Sequence, residues 1–374
     1  MSALAQVLNT AIARRPWKRK VIGPIGIDVG SDAIHACQLK PQDDRRFAIA
    51  ARAAVPFSGL RSALLESPLR LRKLLRDGLR RHHFTGRRVV AAMPSDFVKF
   101  TPITFRADES STAQTILKML SSRVDGDIGD YVVDYLPVRT NTEHEEGLAL
   151  AAVARRQDVL QFLDALGGCG YEVEALDIGP AAIRRLLSVL YTGDDEEAET
   201  ILVLNAGLER SYLSVISGRR LLFDQPVEFG EQGLLAHVAR VLDISEEASR
   251  DLAVRHGLKT NEAGDADEVA STLLEILKHD FVSLVDEINR VLIFTAGETR
   301  GRPVGRVCLL GSIARWPGAE ALLRELIDVP NSDTQREIAD FFIDERPKDK
   351  AVGDLFPEMA VASGLALRGL IEHV

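Results

Sequence analysis

The apolar positions of this chain change period several times, and each change marks an element. Gly26-Ile27-Asp28-Val29-Gly30-Ser31 is a short apolar strand ending in a carboxylate, a glycine and a hydroxyl. Ala33 to Leu39 returns as a second strand, so the loop between them is a hairpin tip, and Arg46 to Val55 adds a third strand. Ser67-Pro68 then caps and opens a helix that carries Leu71, Leu74, Leu75 and Leu79 on one face. From about Arg87 to Ala154 the texture shifts: strands "RRVVAAM" and "FVKFTPITF", a helix opened by Asp108, then strands "YVVDYLPV" and "GLALAAVA". This predicts a small inserted α+β module. A helix from about Gln157 to Leu166 and the strand-helix "YEVEALDIGPAAIRRLLSVL" follow, with Pro180 early in that helix. The acidic run "TGDDEEAET", residues 192 to 200, is then a linker.

Beyond the linker the opening pattern recurs. "TILVLNAGLERSYLSVISGRRLLFDQPVEFG" again reads strand, polar glycine turn, strand, Ser-Gly turn, strand, then a helix from about Glu231. Asn205-Ala206-Gly207 holds the place of Asp28-Val29-Gly30, about 175 residues further on, so the architecture is duplicated. Two such halves set their hairpin loops face to face across a cleft, where backbone N–H groups freed by glycine can meet a phosphate chain. A third unit, "VGRVCLLGSIARWPGAEALL", supplies a buried strand, a turn at Gly311-Ser312 and a helix with Pro317 near its start, the arrangement that supports a nucleoside through a positive helix end. In the bland alternative each unit is a plain turn, and Trp316-Pro317 is core packing.

Composition narrows the function. With 46 basic and 55 acidic residues the net charge is −9, which argues against general nucleic-acid binding. Cys37, Cys169 and Cys308 lie far apart with no Cys-x-x-Cys pair, the signature of reduced core thiols in a cytoplasmic protein. No apolar run reaches the roughly 18 residues a bilayer span needs. His82-His83 is not a metal pair, because adjacent helical residues do not share a face. Arg70, Arg72, Lys73, Arg76, Arg80, Arg81, Arg87 and Arg88, broken only by Asp77, form a basic segment, read either as the wet face of the helix or as a contact for anionic lipid or an acidic partner.

The order of these motifs carries a resemblance. "IGIDVGSDAI", "VVAAMPSDFV", "ALDIGPAAIRRLL", "LLGSIARWPGAEALL" and "AVASGLALRGL", spread over about residues 21 to 370, resemble the actin-like ATPase superfamily and, within it, the PilM family of type IV pilus assembly proteins, related to FtsA. The implied fold is a two-lobed α/β actin-like (ribonuclease-H-like, duplicated) one with an inserted α+β module: tail 1–20, first lobe 21–197 interrupted by the insert at 87–154, second lobe 198–374. The implied role is a cytoplasmic scaffold, peripheral at the inner membrane beneath a pilus or secretion machine. It would bind the N-terminal segment of a single-span PilN-like membrane protein alongside other platform components, with self-assembly left open. The resemblance also places ATP and Mg in the cleft, against Asp28 (the metal contact), Gly30, Ser31, His35, Asn205, Gly207, Gly311 and Ser312.

Several of these positions depart from the family pattern. His35 stands where the family has a phosphate-binding lysine, and Asp32 replaces a serine. A carboxylate there is costly, since two like charges about 4 Å apart at an effective dielectric near 20 repel by roughly 4 kcal/mol. Asn205 replaces the aspartate that orients magnesium or its water, and cannot supply a negative ligand. Ser312 adds a Cβ where backbone should approach the nucleoside. The departures imply that ATP and Mg bind weakly or not at all, and that hydrolysis, for which Asp28 and Asp177 are the remaining acids, is lost. The alternatives are an active actin-like ATPase and an FtsA-like membrane-associated filament; the latter usually carries a C-terminal amphipathic helix, whereas this chain stops just after "ASGLALRGLIEHV". The partner site is expected in the groove between first lobe and insert, at Val89, Val90, Pro94, Ser95 and Phe97, where a peptide can pair with an apolar strand. In the tail, Leu4, Val7, Leu8, Ala11 and Ile12 at helical spacing precede Arg14, Arg15, Lys18, Arg19 and Lys20, the pattern of a weak surface-lying anchor or of a disordered terminus.

Overall fold

Alternating apolar residues draw β1 (Ile25–Val29), β2 (Ala33–Pro41) and β3 (Phe47–Pro56) into an antiparallel meander. Ile25, Ile27 and Val29 bury one face of it against α1 (Arg61–Leu65) and α2 (Pro68–Leu79), which presents Leu71, Leu75 and Leu79 at four-residue spacing. The Ser67 side chain does not cap α2; Pro68 at the first helical position supplies the start instead. The computed structural model describes residues 22–42, 46–106, 111–139, 146–191, 199–258, 267–299, 301–329, 334–344 and 352–371. The 1–20 tail and residues 192–198 of the acidic linker lie outside them.

β4 (Arg88–Met93) runs parallel to β1 inside the first-lobe sheet, so "RRVVAAM" belongs to that lobe and not to the insert. The insert is β5 (Val98–Phe105), α3 (Thr112–Leu120), β6 (Tyr131–Arg139) and β7 (Gly147–Arg155), an antiparallel sheet ordered β5-β7-β6 with its own small core around Ile103, Ile116 and Ala151. α3 is capped by Ser111, whose hydroxyl accepts the Gln114 N–H; Asp108, the expected start, is outside the described residues. α4 (Arg156–Gly167), β8 (Glu172–Ile178, parallel to β4) and α5 (Gly179–Leu190) return the chain to the first lobe.

The second lobe repeats the plan. β9 (Thr200–Ala206), β10 (Ser211–Ser217) and β11 (Arg220–Val227) form the second meander, followed by α6 (Glu231–Leu242), α7 (Glu246–His256) and α8 (Glu268–Thr295). β12 (Val304–Gly311) joins β9 in parallel, and after a 3-10 turn at Ser312–Arg315 comes α9 (Ala319–Ile327). Pro317 therefore sits in the turn before the helix, and Trp316 is buried. The chain then crosses back. α10 (Thr334–Phe341) leads into β13 (Phe342–Asp344), which pairs with β3, and α11 (Val352–Leu367) packs across β1 and β2. The two sheets are thus ordered β13-β3-β2-β1-β4-β8 and β11-β10-β9-β12. The second lobe does not run to residue 374 as expected, because the last strand and helix complete the first.

α5 and α11 lie between the two sheets and tie them together. Their approach is close enough that a Cβ on Gly364 would overlap the Ala182 carbonyl, and one on Gly26 the Ala362 carbonyl. Cys37 and Cys308 are buried, and burial pushes the Cys37 thiol up to about 12 and raises that of Cys308. Cys169 is only half-buried, with its Sγ donating to the Ala165 carbonyl.

Candidate functional site

The two hairpin tips meet at the cleft between the lobes. Asp28, the fourth residue of β1, pairs directly with His35 of β2, so strand register puts both side chains on the cleft face. Desolvation raises the Asp28 carboxyl above its ordinary range, against the opposing pull of His35 and Arg61. His35 is 6% exposed. Its Nε2 lies 4.0 Å from Glu358 of α11, and its Nδ1 has no hydrogen-bond partner. Gly30, Ser31, Asp32, Asn205, Gly207, Gly311 and Ser312 border the same cleft. The structure thus brings together all eight residues expected to hold the nucleotide.

It also shows what they do there. The Ser31 hydroxyl accepts the Leu208 N–H at 3.2 Å, so the first loop is hydrogen-bonded to the second across the space where a phosphate would sit. Ser312 is buried, its hydroxyl 3.5 Å from the Ala206 carbonyl of the strand beside it. Gly311 needs its positive φ of 80° to let the backbone pass Ala206. What remains open between the loops is about 110 Å³. Among the described residues no group of three His, Cys, Asp or Glu is placed to hold a metal ion. These residues do not fit magnesium-bound ATP as they stand: the loops are bonded to each other, Asn205 brings no charge, and the cation beside Asp28 is already committed.

That cation is Arg61, which sequence reasoning missed. Its guanidinium donates to both Asp96 oxygens at 2.8 and 2.9 Å and to the Ser95 hydroxyl at 2.9 Å, a bidentate clamp from α1 onto the turn where the insert begins. A second missed group runs from the cleft into the second lobe. Glu358 pairs with Arg315 at 3.1 Å, and fully buried Glu231 at the start of α6 takes Arg250 at 3.2 Å and the Trp316 indole N–H at 3.2 Å. No local pattern announces such partners, since these pairs are 19 to 85 residues apart and form only once the lobes are assembled.

Asp177 does not border the cleft. Its carboxylate is held by Arg185 at 2.7 Å and Arg368 at 2.9 Å, so it does not stand beside Asp28 in the cleft.

The five residues expected to receive a partner peptide are elsewhere engaged. Val89 and Val90 are fully buried in β4, which is paired with β1 on one side and β8 on the other, so it offers no free edge. Pro94 is buried, Ser95 is bonded to Arg61, and Phe97 packs on the first-lobe core. The groove between first lobe and insert does exist, a few residues away. It encloses about 190 Å³ between Val132 and Leu136 of β6, Ala152 and Ala154 of β7, and Leu176 of β8 and Ala181 of α5. Three consecutive residues, Leu176, Asp177 and Ile178, border it. Successive strand residues point to opposite faces, so it is the edge of β8, the last strand of its sheet, that faces the groove.

Comparison with known proteins agrees with this architecture. The sequence profile of the family described as type IV pilus assembly protein PilM matches residues 26–370. Among solved structures, the chain is similar to the PilM-PilN type IV pilus biogenesis complex, at 22% identity over 94% of this chain and 100% of that one, with a TM-score of 0.73. It is also similar to the ethanolamine utilization protein EutJ from Carboxydothermus hydrogenoformans, at 13% identity over 97% and 96% of the two chains, TM-score 0.51. MreB 5 of Spiroplasma citri bound to AMPPNP matches at 9% identity over 84% and 92%, TM-score 0.50. These likenesses establish the two-lobed actin-like fold.

Proposed function

This chain belongs to the type IV pilus assembly protein PilM family, and from that premise we propose that it is a scaffold of the inner-membrane platform rather than a working ATPase. It holds the N-terminal segment of a PilN-like, single-span membrane protein in the groove between the first lobe and the insert, and works in the cytoplasm at the membrane surface. The observation that carries this reading is the groove itself. Its walls are mainly apolar, with Asp134, Asp177 and Arg368 among them, and one side is the edge of β8, so an extended segment can pair through its backbone while its alternate side chains enter the pocket. The solved relative at 22% identity is a PilM-PilN complex, which supports the choice of partner. The closed cleft supports a structural role for the nucleotide-site residues, in which Ser31 links the two lobes through the Leu208 amide while Asp28 and His35 face each other within the first. Among the described residues no helix is long and apolar enough to cross a membrane, which fits attachment through a partner.

The test is binding of a synthetic peptide with the N-terminal sequence of the PilN-like single-span protein, measured by calorimetry. Val132, 39% exposed on the groove wall, can be changed to Asp without disturbing the core. Val132→Asp should weaken binding at least tenfold with an unchanged melting temperature. Equal affinity of the variant and the parent would remove the groove from consideration.

A further inference from the structure

The outer face of α2 is built from residues that interior packing leaves unused. Leu71, Leu75 and Leu79 point into the lobe, and the positions opposite them at i, i+4, i+7 and i+11 are Leu69, Lys73, Arg76 and Arg80, all exposed. Leu69 is 79% exposed, an apolar side chain standing free at the head of a cationic stripe. Arg70 and Arg81 flank the stripe and are exposed too, against the exposed acids Glu66 and Asp77. This local surplus of positive charge lies on a chain whose net charge is −9.

The face also has a definite position. α4 packs beside α2, with Arg72 donating to the Asp164 carbonyl at 2.9 Å and Gln161 to the Leu65 carbonyl at 3.4 Å. Val159 of the same α4 borders the groove, and Leu160, the next residue, is 54% exposed. The basic stripe and the groove are therefore joined through one helix.

We propose that this face of α2 rests on an anionic phospholipid bilayer. The stripe supplies charge complementary to lipid headgroups, worth about 1 kcal/mol for each Lys or Arg near such a surface, and Leu69 supplies an apolar contact at its end. Binding of this size is weak and reversible, and it orients a protein that a membrane partner already holds close, because tethering raises the effective concentration at the surface. The charge argument is independent of the groove reading; the position of α4 adds only the direction from which a membrane-borne segment would arrive.

The experiment is co-sedimentation of the full chain, without partner, on vesicles of phosphatidylcholine alone and of phosphatidylcholine with phosphatidylglycerol. Bound protein is expected on the anionic vesicles only, and is expected to fall as salt rises from 50 to about 300 mM, the Debye length shrinking below 10 Å. The variant Lys73→Glu, Arg76→Glu, Arg80→Glu should lose at least tenfold in apparent affinity, and Leu69→Ser a smaller factor, with circular dichroism and melting unchanged. A variant reversing Arg14, Arg15, Lys18, Arg19 and Lys20 separates the tail from the helix. The proposal is overturned if the α2 triple variant binds like the parent, if only the tail variant loses binding, if neutral vesicles bind equally, or if the parent binds neither. Since no partner is present, none of these outcomes bears on the groove.

Discussion

The Ser31 hydroxyl and the Leu208 amide, 177 residues apart in sequence, are joined by a hydrogen bond of 3.2 Å that closes one hairpin loop onto its duplicate. In a duplicated two-lobed fold, the loops face each other with their N–H groups free for an anion. Here one of those N–H groups is used by the opposite loop. A neutral hydrogen bond of this kind contributes only about 1 kcal/mol, so its importance is geometric: a phosphate entering the cleft has to displace it, and no lysine stands at residue 35 to favour the exchange.

The first prediction follows from that closure. The parent chain should show no saturable magnesium-ATP binding at 1 mM nucleotide by calorimetry. Restoring charge with His35→Lys and Asn205→Asp together, plus Ser31→Ala to free the Leu208 amide, should produce measurable binding, with Asp28→Ala abolishing it again. Micromolar binding by the parent, or magnesium-dependent hydrolysis lost on Asp28→Ala, would show that the cleft opens and works.

Arg61 gives the second. Its clamp on Ser95 and Asp96 is the side-chain link between α1 and the turn that opens the insert. Arg61→Ala should lower stability by about 1–2 kcal/mol, the range for charge-assisted hydrogen bonds discounted for the partial exposure of Asp96. Amide exchange should accelerate over Pro94–Val98 and leave β9–β12 unaffected. Uniform acceleration through both lobes would mean that the clamp supports the whole fold rather than the insert's attachment.

Asp224 gives the third, through pH. The carboxyl is 2% exposed, with the Ser214 hydroxyl donating to Oδ1 and no partner for Oδ2. Burial pushes it up to about 7 from 3.8, only partly offset by Ser214. The folded chain therefore holds this proton more tightly than the unfolded chain, so the group's contribution to stability is complete below about pH 4, declines as pH rises, and is gone above about pH 7. Asp224→Asn cannot ionise. Its stability relative to the parent should therefore improve between pH 4 and pH 8, by of the order of 4 kcal/mol at 1.36 kcal/mol per pKa unit. Denaturation by urea at both pH values measures this, and a difference that does not change with pH would refute it.

Much of the molecule could be read from local pattern. The period-two runs over residues 26 to 55 and 200 to 227 became the two meanders, Leu71, Leu75 and Leu79 became the buried face of a helix, and the eight expected cleft residues came together, because the duplication repeats strand order and strand order places hairpin tips. Local alternation records which side of an element is buried, and that side is determined within a few residues. What alternation does not record is which strand lies next to which. β4 has the apolar texture of the strands around it, yet its position between β1 and β8 removes Val89 and Val90 from any partner's reach. β13 and α11 follow the second lobe in sequence but complete the first, since an unpaired edge on β3 and an uncovered face on β1 and β2 gain more from them than solvent does. The clamp of Arg61 on Asp96, the pairing of Ser31 with Leu208 and the groove along the edge of β8 depend on those adjacencies. The chain's periodicity determined its elements and their buried faces; long-range hydrogen bonds and close helix packing, which act between residues far apart in sequence, decided the partners, and with them the closed cleft and the open groove.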